Sequence, residues 1–88
     1  MIRLPLDLRR YGGCRLQFEC LAKAEGVSKP GAAYNGVKFM LHYRSASAGP
    51  FWQNENGVFG TFDWRKLSFG ALIATDATDG ELHLGLQD

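Results

Sequence analysis

The sequence predicts an all-β fold, an antiparallel β-sandwich, from three observations. Apolar and polar residues alternate with period two in several short runs, as they do in strands with one buried and one wet face. Clusters of Gly, Pro, Asn and Asp separate those runs, where turns are needed. The chain has 88 residues, enough for one hydrophobic core, so residues 1–88 are read as a single domain.

Taken in order, Ile2 to Leu8 alternates Ile2, Leu4, Leu6 and Leu8 around Pro5. Proline cannot donate to a ladder, so this run is an edge strand. A turn follows at Tyr11 to Gly13. From Cys14, one parity carries Cys14, Leu16, Phe18, Cys20 and Ala22, and the other Arg15, Gln17, Glu19, Leu21 and Lys23. A turn at Ser28 to Gly31 leads to a strand from Val37 to Arg44. That strand sets Val37, Phe39, Leu41 and Tyr43 against Lys38, Met40, His42 and Arg44. Ser45 to Gly57 reads as one long loop; loops beyond about 12 residues in compact domains are usually functional or disordered, and the aromatics in this one argue against disorder. Val58 to Phe62 is a short strand. Trp64 to Ile73 places Leu67, Phe69, Ala71 and Ile73 on one side, and Ala74 to Gly80 is a turn region. Glu81 to Leu86 ends the pattern with Leu82, Leu84 and Leu86 opposite Glu81, His83 and Gly85.

Ten Lys and Arg face nine Asp and Glu, with the signs interspersed, so no basic stripe follows a phosphate backbone and nucleic acid is not an expected partner. No run approaches the roughly 18 apolar residues that cross a bilayer as a helix, and the order of a signal peptide is missing from the start. A membrane is not an expected partner. Cys14 and Cys20 lie six residues apart in one extended run, about 20 Å at 3.3 Å per residue. A disulfide needs its Cα atoms within about 7 Å, so the two are expected to be buried, unbridged thiols packing as small hydrophobes.

Chemistry concentrates in the predicted loop. Sugar rings offer apolar C–H faces edged with hydroxyls, so a surface that binds them needs flat aromatic rings beside amides or charges. Phe51, Trp52, Gln53, Asn54 and Asn56 supply both within six positions. A loop tryptophan contributes large area and an N–H that keeps a polar outlet, and the alternative role for Trp52 is a loop aromatic that plugs the edge of the core. Tyr34 and the polar parity with Lys38 and His42 extend this into a candidate platform, although such a row is more often the ordinary solvated face of a sheet. Trp64, beside residues that read as buried, is assigned to packing.

Catalysis is not expected. His42 and His83 stand without a Ser, His and Asp arrangement, and no glycine-rich phosphate loop occurs. Carboxylate pairs for glycoside hydrolysis cannot be placed from sequence. Glu81 and His83 share a strand face, and Asp76 and Asp79 a turn, but neither matches a zinc or EF-hand spacing. A structural calcium stays open, and no cofactor is implied.

The order Leu4-Pro5-Leu6-Asp7-Leu8, Cys14-Arg15-Leu16-Gln17-Phe18, Tyr34 to Tyr43, Phe59-Gly60-Thr61-Phe62-Asp63-Trp64 and Leu82-His83-Leu84-Gly85-Leu86-Gln87 resembles the jelly-roll, galactose-binding-like carbohydrate-binding modules of bacterial cellulases and related glycoside hydrolases. The resemblance spans nearly the whole chain, with Asn35 to Leu41 and Gly60 to Trp64 its more distinctive runs. It implies a secreted, extracellular module that binds plant cell-wall β-glucan polysaccharide through Trp52, Tyr34 and their neighbours and brings an attached glycoside hydrolase domain to its substrate. Similar modules continue past the Leu-Gly-Leu-Gln stretch into a last strand. The expected consequence is an unpaired sheet edge, shielded by rearrangement or by a second chain in a homo-oligomer. The competing readings are a structural β-sandwich that supports a catalytic domain, and a protein-interaction module using the same aromatics. Exposure of Phe51, Trp52 and Tyr34 separates them.

Overall fold

In a computed structural model, which describes residues 2–28 and 36–87, the chain is an all-β antiparallel sandwich. Its strands are β1 (Ile2–Asp7), β2 (Arg15–Val27), β3 (Gly36–Ser45), β4 (Gly49–Asn54), β5 (Gly60–Leu72) and β6 (Asp79–Gln87), with one 3-10 turn at Arg9–Tyr11. The larger sheet has the order β1-β6-β3-β4 and the smaller one pairs β2 with β5. Among the described residues, only β3 and β4 are consecutive partners within a sheet. The other four links between successive strands pass from one sheet to the other, the winding of a jelly roll with one sheet reduced to two strands.

Side-chain alternation places the core. Phe39, Leu41 and Tyr43 of β3 face Leu67, Phe69 and Ala71 of β5, and Leu8, Val58, Ile73 and Ala77 close the ends. Phe69 stacks on Phe18 at 5.1 Å and meets Phe39 edge-on at 5.1 Å, a geometry in which aromatic pairs gain beyond their buried area. As the sequence predicts, β1 is an edge strand, with Pro5 opposite Glu81.

Three expectations are corrected. The segment read as a loop from Ser45 to Gly57 is mostly strand: β4 folds back on β3 with Ser45 opposite Gly49 and Met40 opposite Asn54. Three residues make the turn, and Gly49 takes a φ of 69° that an L side chain resists. The separate strands Val58 to Phe62 and Trp64 to Ile73 are one continuous β5 opposite β2, whose register slips between Ala22 and Ala24 and again before Val27. Val58 itself stays outside the strand, buried, with its carbonyl accepting from the Val37 N–H at 2.9 Å. Cys14 precedes β2 and is exposed, so only Cys20 is a partly buried thiol, and both are free.

Candidate functional site

The face of the larger sheet that turns away from the core is set by register. Pro5 lies opposite Glu81, Glu81 opposite His42, and His42 opposite Trp52, forming one row across four strands. The adjacent row runs Arg3, His83, Met40 and Asn54. Residues directly across a ladder point to the same side, so Trp52, His42 and Asn54 share this outer face with Glu81 and His83.

Trp52 is 56% exposed, and the His42 ring stacks on it with centroids 3.6 Å apart and planes 15° apart. The His42 Nδ1 lies 3.0 Å from the Phe51 carbonyl oxygen. A carbonyl only accepts, so Nδ1 carries the hydrogen, which fixes the imidazole's plane and leaves Nε2 as the acceptor of the neutral ring. His83 is buried, with Nε2 3.4 Å from Glu81 Oε1 and its ring edge-on to His42 at 6.3 Å. Beside this row a recess of about 180 Å³ is lined by His42, Arg44, Asp79, Gly80 and Glu81.

The remaining candidates scatter. Phe51, opposite Tyr43, turns inward and stacks on that ring at 4.7 Å. Gln53, opposite Leu41, shares the inward parity and donates from Nε2 to the Gly70 carbonyl of the other sheet at 3.3 Å. Asn54 donates from Nδ2 to Asn56 Oδ1 at 2.7 Å, so these amides hold the chain as it leaves β4. Lys38 was expected on a solvated row but is 3% exposed, and Met40 beside it is buried too. Burial pulls the Lys38 ammonium below its ordinary value, because desolvation disfavours the charged form. Tyr34 lies outside the described residues.

Trp64 departs from its assigned packing role: it is 67% exposed and lines a separate cavity. Glu81 and His83 were legible as a pair on one strand face, yet nothing in their spacing placed them beside His42. That adjacency comes from β6 inserting between β1 and β3. Among the described residues no cluster of three or more His, Cys, Asp or Glu could hold a metal ion.

No family model, curated protein or solved structure matches the chain.

Proposed function

We propose that the chain is a non-catalytic carbohydrate-binding module whose outer sheet face takes a β-glucan of the plant cell wall, in a secreted protein that carries a glycoside hydrolase. The observation that carries this reading is Trp52. A mostly exposed indole stands on an edge strand with one ring face held by His42, and its exposed area is offered to the C–H face of a pyranose. Polar groups lie along the same row: His42 Nε2, Glu81 and, beside them, Arg44 and Asp79. They supply the donors and acceptors that hydroxyl groups require.

Phe51 and Lys38 do not join this surface, so the site is smaller than the sequence suggests, centred on one stacked pair. Phe51's inward packing is what favours the scaffold reading. The two readings part in affinity electrophoresis through gels containing cellulose derivatives, xyloglucan, xylan or mannan. The wild-type chain is expected to be retarded on a β-glucan. Trp52→Ala is expected to weaken binding at least tenfold, or about 1.4 kcal/mol, while Trp64→Ala leaves retardation unchanged. No retardation on any of the four polymers leaves the scaffold reading in its place.

A further inference from the structure

The two sheets differ in width. Four strands span three gaps of about 4.8 Å, roughly 14 Å, whereas two strands span only one gap. β2 approaches β3, and β5 approaches β4, so the smaller sheet roofs that half of the larger one. The inner faces of β6 and β1 extend beyond it, on the side of β2's free edge.

Those faces are apolar and only partly covered. Ile2 pairs with Leu84, Leu4 with Leu82, and Leu86 with Val37, all on the parity of Phe39 and Leu41, which point into the core, and Leu82, Leu84 and Val37 are partly buried against that core. Yet Ile2 and Leu86 are each 62% exposed and Leu4 is 42% exposed. This is a stripe with the composition of a sandwich interior and no strand over it among the described residues.

A groove follows the same side of β2. At one end a cavity of about 280 Å³ lies between Leu6 and Leu8 and the start of β2, at Leu16 and Phe18. At the other a cavity of about 550 Å³ is walled by Cys20, Ala22, Ala24 and Val27 of β2, with Val37, Leu84 and Leu86 across from them and Trp64 at its rim. The wall explains the difference in volume. β2's inward side chains shrink from Leu16 and Phe18 to Cys20, Ala22 and Ala24, so the space widens where they become small.

We propose that this groove is the docking site for an added β-strand, an extended segment of another polypeptide that pairs with the free edge of β2 and lays alternate apolar side chains on the leucine stripe. Backbone pairing supplies affinity and the cavities supply selectivity, the general logic of strand addition. The cavities state the occupant's chemistry: aliphatic side chains at the Leu16 end, and larger leucine or aromatic ones at the Ala22 end. Its opposite parity faces water beside Arg15, Glu19, Lys23 and Glu25, whose signs alternate along β2, and is polar with mixed charge. A second copy of this chain fits poorly. Its own β2 arrives with β3 packed beneath it, in the space that β6 and β1 already fill.

The probe is a synthetic 11-residue peptide alternating leucine or phenylalanine with threonine or lysine. Its control has the same sequence, with N-methyl groups on the amides that would face β2. Titration calorimetry is expected to show one-to-one binding of the first and at least tenfold weaker binding of the second, with hydrogen exchange slowed at β2 amides. Trp52→Ala is expected to bind the peptide as the wild type does, which separates this result from sugar binding. Ala22→Phe, which fills the wide cavity, is expected to lose the peptide while keeping the native circular dichroism spectrum. Any of four results overturns the proposal: no saturable binding, equal affinity for both peptides, protection at β4 instead of β2, or self-association that protects β2 without peptide. The last gives the groove to a second copy.

Discussion

The Tyr43 hydroxyl sits where β5 leaves its sheet, 3.4 Å from the Leu72 carbonyl oxygen, to which it donates, and 3.0 Å from the Ala74 N–H, from which it accepts. Its ring is buried and stacks on Phe51, so one side chain joins β3, β4 and the exit of β5. Tyr43→Phe keeps the ring but leaves the Ala74 N–H without that acceptor. The expected loss is about 1 kcal/mol, or a fall of roughly 4–8 °C in melting temperature for a domain of this size, measured by thermal unfolding. At this scale the sequence was informative about residue type and poor about direction. Phe51 and Trp52 are adjacent aromatics, and composition treats them alike. The β3–β4 register sends Phe51 to Tyr43 in the core and Trp52 to His42 on the outer face. Strand parity could have separated them, but only after Gly49 to Asn54 was known to be a strand.

The β3–β4 hairpin hid from sequence reading for physical reasons. Gly49 and Pro50 open β4 with the residues of a turn, and Gln53 puts an amide on the inward parity. Alternation is therefore lost over a strand only six residues long. By contrast β2, β3 and β6 were legible because their inward positions are consistently apolar. The hairpin's turn is held from outside. Asp76, in the link between β5 and β6, accepts from the Ser47 N–H at 2.8 Å and from the Ser47 hydroxyl at 2.6 Å. Those two hydrogen bonds, the hydroxyl's first, lower the Asp76 carboxyl below its ordinary value. A carboxyl depressed in the folded state contributes stability that is fully present above the unfolded value, near about pH 4, and is lost as pH falls through the folded value. Asp76→Asn is therefore expected to flatten part of the decline in stability below about pH 4, while lowering stability at neutral pH. Urea unfolding of both proteins across that range checks it, and parallel curves would show that Ser47 and Asp76 are not linked in solution.

At the scale of the molecule, the consequence of uneven sheets is cooperativity. A two-stranded ribbon is at best marginally stable alone, so β2 and β5 persist only because Phe18, Leu67, Phe69 and Ala71 pack on the larger sheet. The larger sheet in turn keeps Phe39, Leu41 and Tyr43 from water only through that cover. Neither sheet has a core of its own, and the chain crosses between them at four of the five links between the described strands, so one sheet cannot be released without exposing the other's apolar face. The two tryptophans report on this separately, Trp52 from β4 of the larger sheet and Trp64 from β5 of the smaller. Both are largely exposed, so replacing either by phenylalanine removes little packing and leaves a single-probe protein. Trp52→Phe and Trp64→Phe are expected to give urea transitions with coincident midpoints and equal slopes, the signature of all-or-none unfolding. A Trp64 signal lost at clearly lower urea than the Trp52 signal would mean that the smaller sheet detaches first, leaving the larger one with an uncovered inner face, and the shared core would then be two weakly joined layers.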